Sequence, residues 1–404
     1  MLLSLAWKNI WRNKKRSLIV VLAITFGLWG GLCAGGLFMG WAESIVDTAI
    51  DRDLAHLQLH QKDFKTKKDI SLIIPNGQAV IDSIRKIPEV SAVCGRFIIE
   101  GMAASANTNF GVQITGINPA EEKEVTNLYT KLIEGSYFET GKKNQIVIGK
   151  KLADRLKLKL RSKIILSFQG MGEEIIHYAC RVSGIYKTES SPFDERYVYV
   201  QQKDLFRLLN IPPAYHQIPV RLKNANTINQ VKTQLLTLFP QLQIQSWKEI
   251  APGIAFLSVI MQNFSYLFVA IILCALLFGI TNTMLMSVVD RIREFGVLLS
   301  LGMKKGKIFL MIILETLFLS MTGGIGGVLL GGITIWYFSA YGLDLSFLAA
   351  SMESFGSSTT LYPYLPGLMY VFLTVMIILS ANIAAVFPAV KAIRLKPAEA
   401  IRTF

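Results

Sequence analysis

The chain has 404 residues, with 42 Lys+Arg against 28 Asp+Glu, 52% hydrophobic residues and 17% charged ones. Soluble domains average about 25% charged residues, so this composition excludes a disordered chain and fits an ordinary cytosolic globule poorly. The apolar excess sits in four blocks, with a long stretch of ordinary composition between the first and the second, which marks a membrane protein carrying an inserted water-soluble domain.

Residues 1–16 place Trp7 and Trp11 one turn apart among Lys8, Arg12, Lys14 and Lys15, the pattern of an interfacial helix. The first span is assigned to 17–41. Its charge-free core, 18–39, is about 33 Å long as a helix, enough to cross a hydrocarbon layer of about 30 Å. That core is too long for a signal-peptide h-region and no A-x-A site follows, so a retained span is expected.

Residues 42–255 read as an α+β domain. Alternating runs predict strands at 54–60, 110–117, 145–148, 164–168, 178–186, 196–200, 217–222 and 242–246. Amphipathic stretches predict helices at 79–87, 150–158, 203–209 and 227–238. Strand–helix–strand order recurs at 145–168 and 217–246, which fits helices packed on a mixed sheet in two lobes. His56 and His60 are about 13 Å apart along a strand, too far to share a metal ion, and read as solvent-facing. Cys94 and Cys180 share this domain and form the candidate disulfide of an oxidising compartment; spacing alone does not bring them within bonding reach. Cys33 and Cys274 are intramembrane packing residues.

The second span is assigned to 256–289, a cytoplasmic loop to 290–307, the third span to 308–338, an outer loop to 339–367, the fourth span to 368–390 and a tail to 391–404. Residues 1–16 and 290–307 hold five basic groups each and the tail four, whereas 339–367 holds none. This alternation puts both termini and the 290–307 loop in the cytoplasm and the inserted domain outside. The net charge of +14 is thus mainly a topology signal, and nucleic acid is not an expected partner.

Glu315 interrupts the third span. A carboxylate about 12 Å into a membrane helix needs a partner or a role. Asn282 in the second span and Asn382 in the fourth are the candidate partners, for an interhelix hydrogen bond or for transmitting motion. Glycines crowd the first and third spans, which fits either close packing inside the bundle or a self-associating face. The 290–300 segment predicts a short charged amphipathic helix ending at Gly302, suited to docking on another protein or to lying on the membrane. No G-x-x-x-x-G-K-[ST] loop and no G-x-S-x-G occurs, so the chain by itself is expected neither to hydrolyse ATP nor to carry a cofactor, metal or catalytic residue.

The string Arg293-Glu294-Phe295-Gly296-Val297-Leu298, then Leu301-Gly302-Met303 and Glu315, resembles the membrane core of FtsX-like/MacB-like ABC permeases. The tail Phe387-Pro388-Ala389-Val390-Lys391-Ala392 with Lys396-Pro397-Ala398-Glu399-Ala400-Ile401-Arg402, and the opening Trp7-Lys8-Asn9-Ile10-Trp11-Arg12-Asn13, are similar to the same family. Within it, His56-Leu57-Gln58-Leu59-His60, Val182-Ser183-Gly184-Ile185-Tyr186 and Asp204-Leu205-Phe206 resemble the lipoprotein-releasing (Lol-type) permeases.

The resemblance implies a bacterial inner-membrane permease with four spans and a MacB-like periplasmic core domain. It implies a separate ABC ATPase that binds ATP and Mg, and a second permease chain, either a copy or a sister. The implied cargo is a lipoprotein released from the membrane, with a periplasmic carrier as a further partner. Efflux through an adaptor and an outer-membrane channel, or signalling to an outer partner such as a cell-wall hydrolase, are the alternatives. Arg293, Glu294, Phe295, Leu298 and Gly302 then become the ATPase-coupling residues. Phe26, Trp29, Phe268 and Ile272 become contacts for acyl chains. The segment 169–174, where some lipoprotein-releasing subunits carry a carrier-capturing loop, is short here.

Overall fold

The computed structural model describes residues 3, 7, 12, 14–106, 108–139, 141–172 and 174–394. Most of the expected interfacial helix and the 396–402 motif lie outside these residues. The chain forms two units. One comprises Met1–Ala42, Val259–Asp344 and Thr360–Phe404, and the other Glu43–Ser258 and Leu345–Thr359.

The first unit is helical. Helices α1 (Lys14–Ala49), α2 (Pro252–Asp290), α4 (Lys305–Tyr341) and α5 (Gly367–Ile393) are each long and apolar enough to cross a membrane, and α3 (Ile292–Ser300) is a short helix between α2 and α4. Their shared core holds Leu28 and Leu32 from α1, Ile280 and Met284 from α2, Ile312 and Leu319 from α4, and Ala381 and Ala384 from α5.

Two sequence devices bring the helices together. Gly323, Gly327 and Gly331 recur every four residues on α4 and face Ile24, Leu28 and Leu32 on α1. A Cβ at Gly327 would stand 2.7 Å from Leu28 Cβ, and one at Gly331 would stand 2.6 Å from Leu32 Cδ1. In lipid, where apolar burial drives little, such close approach supplies the dispersion contact. Thr25 Oγ1 adds a hydrogen bond to the Gly323 carbonyl at 3.1 Å. Gly30, Gly31 and Gly332 meet nothing within 4 Å. The second device concerns Pro388, which lies inside α5 rather than at its end. Proline has no N–H for the carbonyl four residues earlier. That carbonyl, on Ala384, accepts instead from Thr281 Oγ1 of α2 at 3.2 Å. The helix therefore continues to Ile393 with the freed group satisfied.

The second unit is α+β. Its main strands are β1 (Leu57–Gln61), β2 (Val90–Val93), β3 (Phe97–Ala104), β4 (Asn109–Ile117), β5 (Leu132–Gly135), β6 (Gln145–Gly149), β7 (Lys163–Gln169), β8 (Ile175–Tyr186), β9 (Tyr197–Gln201), β10 (Gln217–Leu222) and β11 (Leu242–Ser246). One sheet is antiparallel, in the order β11-β1-β10-β2. It is covered by the helices Gly77–Ile84 and Ile228–Leu238, which bury Ile81, Ile84, Val231 and Leu235 against it.

The other sheet runs β5-β8-β6-β9-β4-β3-β7, and β7 pairs back onto β8. The long β8 makes this closure possible. Its first half pairs with β7 and its second with β6, so the ladder has no open edge there. Ile114, Ile146, Leu166, Cys180 and Val198 share its core with Leu152 and Leu205 from flanking helices.

Three expectations change here. His56 and His60 are buried rather than solvent-facing, at 9% and 1% exposure. The strand β1 lies between β11 and β10, and the turn Phe64–Lys67 covers it, with Phe64 stacked on His60. Burial also pushes the His60 imidazole down to about 3, so the ring is neutral. Cys94 and Cys180 are free and sit in different cores, Cys94 donating to Glu122 Oε2 at 3.3 Å. The 339–367 loop is partly folded. Its helix Ala349–Phe355 belongs to the α+β unit, where Glu353 pairs with Lys187 at 2.9 Å.

Gly327→Val is expected to destabilise the detergent-solubilised chain by about 1–3 kcal/mol through overpacking. Leu28→Ala in the same chain should recover part of that loss, and Gly332→Ala should leave the thermal midpoint unchanged. Equal losses at Gly327 and Gly332 would contradict the α1–α4 packing.

Candidate functional site

The site is built around α3. The helix closes with a Schellman arrangement: Met303 N–H reaches the Leu298 carbonyl at 3.0 Å and Gly302 N–H the Leu299 carbonyl at 3.1 Å. Gly302 has φ +89°, which explains a glycine at this stop. Phe295 is 1% exposed and lies in the membrane-unit core. It anchors α3 and is therefore not the docking contact assigned to it. Leu298 packs against the same core. The exposed positions are Arg293, Glu294, Val297, Ser300, Leu301 and Gly302. Of these Arg293, Val297 and Leu301 are four residues apart, so they line one face.

Arg291, which carried no role in the sequence reading, is the organising residue. It is 6% exposed. Its Nη1 donates to Glu315 Oε2 at 2.9 Å, its Nε donates to Glu294 Oε2 at 3.1 Å, and its guanidinium lies 5.2 Å from the Phe295 ring centroid. Glu294 in turn accepts from Arg12. The charges thus alternate Arg12–Glu294–Arg291–Glu315, from the N-terminal segment through α3 to α4. Burial pushes the Glu294 carboxyl up, but the hydrogen bonds and charges of Arg12 and Arg291 outweigh it and hold it below its ordinary value.

This replaces the expected partners of Glu315. Asn382 Nδ2 donates within its own helix, to the Ile378 carbonyl at 2.7 Å, and Asn282 is exposed. The signal that could have found Arg291 was physical. A buried carboxylate wants a cation, and Arg291 is a long-armed one at the edge of the charge-free run of α2.

The proposed acyl contacts fall into two groups. Phe26 and Trp29 are exposed and meet edge to face at 6.2 Å, and Trp29 Nε1 donates to Thr334 Oγ1 at 3.0 Å. Phe268 is exposed, Ile272 lies one turn further on α2, and the ring partner of Phe268 on α1 is Phe38 at 5.0 Å. No described ring contact joins the two groups. At the assumed carrier-binding position, between the end of β7 and the start of β8, Gly170 N–H donates to the Glu174 carbonyl at 2.8 Å.

In the α+β unit a second ionic cluster grips the segment that follows α1. After Ala49 the chain makes one wider turn, Ile50–Leu54, with i→i+5 character. Arg96 is 1% exposed and donates through Nη1 to the Asp53 carbonyl at 2.8 Å and to Asp53 Oδ1 at 3.2 Å. Its Nε and Nη2 make a two-pronged pair with Glu122, at 3.0 and 2.5 Å. Arg221 Nη2 holds Asp51 Oδ1 at 2.6 Å. Burial raises Glu122, but Arg96 and donors from Cys94 and Thr126 outweigh it and keep its carboxyl below the ordinary value.

With this geometry in place, the comparisons give the family. Residues 17–238 match the MacB-like periplasmic core domain and residues 266–397 the FtsX-like permease C-terminal domain. The chain belongs to this family and is an ABC transporter permease of the MacB/FtsX type. The pyoverdine export ATP-binding/permease protein PvdT of Pseudomonas fluorescens (strain Pf0-1) is 22% identical over 364 residues, 82% of this chain and 51% of that protein. The macrolide export ATP-binding/permease protein MacB of Chlorobaculum tepidum is 30% identical over 124 residues, 31% of this chain and 16% of that protein. The uncharacterized ABC transporter permease YknZ of Bacillus subtilis (strain 168) is 35% identical over 89 residues, 22% of each chain.

The chain spans about half the length of PvdT, and less of the other two. Among solved structures, the periplasmic region of MacB from Actinobacillus actinomycetemcomitans aligns at 13% identity and a TM-score of 0.36, over 52% of this chain and 97% of that one. The extracellular domain of YknZ aligns at 16% identity and 0.34, over 47% and 99%.

Arg291→Met removes the cation from a buried pair and is expected to cost roughly 3–5 kcal/mol of stability. Arg291→Met with Glu315→Leu should recover most of this in unfolding scans of the nanodisc-embedded chain; a double variant as unstable as the single one would contradict the pairing. For Glu122 the sign follows from its lowered value. Its contribution is fully present above about pH 4.5 and is lost as pH falls through the folded value. Glu122→Gln is therefore expected to be less stable at pH 7 and to lose less on acidification below pH 4.5; parallel pH curves would refute it.

Proposed function

We propose that this chain is the motion-transmitting permease of an ABC transporter whose ATPase is a separate subunit. The observation that carries the reading is the Arg12–Glu294–Arg291–Glu315 chain. It fastens α3 to α4 by charge-assisted bonds, and Phe295 fastens it by burial. A helix held this way moves with the membrane helices rather than independently of them. Its outward face, Arg293 with Val297 and Leu301, is the surface for the ATPase. Val297 is 45% and Leu301 78% exposed, on a segment otherwise rich in charge. The basic flanks support a cytoplasmic position for this face and for both termini in the bacterial inner membrane, with the α+β unit outside.

ATP-driven closure of the ATPase would then displace α3 and the membrane helices. The continuous α1 carries that motion to Asp51 and Asp53, which Arg221 and Arg96 clamp. A second permease chain, identical or a sister, completes the unit. For cargo, the motif resemblance favours release of lipoproteins, with Phe26, Trp29, Phe268 and Ile272 meeting acyl chains. A second reading, export of small molecules through an adaptor, is favoured by the named activities of the PvdT and MacB relatives.

Val297→Asp and Leu301→Asp are expected to abolish co-purification of an ATPase from membranes, and Arg293→Ala with Glu294→Ala to weaken it. Unchanged capture in all of these would remove the coupling assignment. Mass spectrometry of the wild-type complex separates the cargo readings: acylated lipoproteins that leave on ATP addition support release, whereas an adaptor without acylated protein supports export.

A further inference from the structure

The α+β unit contains a cavity of about 590 Å³ that the transport reading does not use. It lies where its two sheets meet: Gln58 and His60 come from β1, Gln217 from β10, Gln113 from β4 and Ile98 from β3. Further wall comes from the two segments joined to membrane helices, Arg52–Leu54 after α1 and Ile250–Ile254 at the start of α2, and from residues of 64–68 and 190–197.

The charges in this wall do not cancel. Lys68 and Arg196 are both offset by Glu100, at 3.6 and 3.5 Å, and Asp53 is taken by Arg96. Arg52 and Lys65 have no acid within ion-pair distance among the described residues. Arg52 is 9% exposed, its Nε makes no hydrogen bond, and its guanidinium rests 4.5 Å over the Phe193 ring. Lys65 makes one long contact, 3.4 Å, to the Ile250 carbonyl. Burial and the neighbouring Lys68 push its ammonium down to about 8.

The polar residues of β1 are paired with each other. Gln58 Nε2 donates to the Leu54 carbonyl at 2.9 Å, so Gln58 Oε1 is the acceptor for His60 Nε2–H at 3.1 Å. The ring Nδ1 is itself buried and does not open on the cavity. A buried cation without a counter-charge costs free energy until a ligand meets it.

We infer that this cavity binds a small organic acid. Its carboxylate or phosphate sits against Arg52 and Lys65, and its apolar part lies along Phe193 and Ile98. Such a ligand touches both sheets and the roots of α1 and α2, so its occupancy bears on the elements that carry motion. The assignment is independent of which cargo the transporter handles.

The test uses the full chain in nanodiscs and calorimetric titration with three probes: hippurate, phenyl phosphate and the uncharged methyl ester of hippurate. Hippurate is expected to bind, the ester not, and Arg52→Met or Lys65→Met to weaken hippurate at least tenfold. Both variants keep an apolar stem and break no ion pair, and circular dichroism checks that each is folded. Binding of phenyl phosphate in place of hippurate, with the same loss in the variants, supports the site with phosphate as its anion. No binding of either anion at millimolar concentration, or binding that the variants and the ester leave unchanged, overturns the proposal.

Discussion

Arg291 is the residue on which the membrane unit depends. A carboxylate placed inside a membrane helix carries a large desolvation cost, and Glu315 is such a carboxylate, 7% exposed in the middle of an apolar face. Arg291 meets it at 2.9 Å while holding Glu294 at 3.1 Å and covering Phe295. A buried pair of this kind adds little net stability compared with apolar residues of the same volume. What it does fix is position. The guanidinium has a rigid fork of donors, so sharing it between two carboxylates sets the placement of α3 against α4 far more narrowly than apolar contact would.

The same chemistry recurs in the α+β unit. Arg96 is 1% exposed, yet all of its nitrogens are engaged, by Asp53 and by Glu122. One of those partners belongs to the turn that continues α1, and the other to the helix Pro119–Val125. Both ends of the proposed path therefore use an arginine to bind a helix end to its surroundings. Apolar packing alone, which is non-directional, would let such an end slide. A buried two-pronged pair resists both sliding and rotation, and that is the property required of a joint that passes force.

Most of the architecture was legible in residue order because it rests on periodicity. The four apolar blocks, the strands at 110–117, 145–148, 217–222 and 242–246, and the helix from 227 to 238 were all visible as runs with the right repeat. Short elements without a repeat were not. The strands Val90–Val93 and Leu132–Gly135 have four residues each, too few for alternation to register. The strand Phe97–Ala104 opens with three consecutive apolar residues and carries a glycine, so a period-two search does not register it.

The partnerships were the least legible of all. Glu315 announced that it needed a partner, and the amides of neighbouring spans were the ones expected; Arg291, 24 residues away in sequence, was not among them. The histidines misled for a related reason. Alternation in His-Leu-Gln-Leu-His implies one wet face, and that inference fails when a strand sits between two others and a covering turn closes its second face. In that setting the polar residues are the informative ones. Gln58 and His60 remain polar inside a covered strand, and the burial cost of such groups is met only by partners. Gln58 donates to the Leu54 carbonyl at 2.9 Å and accepts from His60 at 3.1 Å. A polar face kept on a buried strand is therefore held by directional bonds to particular partners, where an apolar face would have packed more cheaply and without that direction.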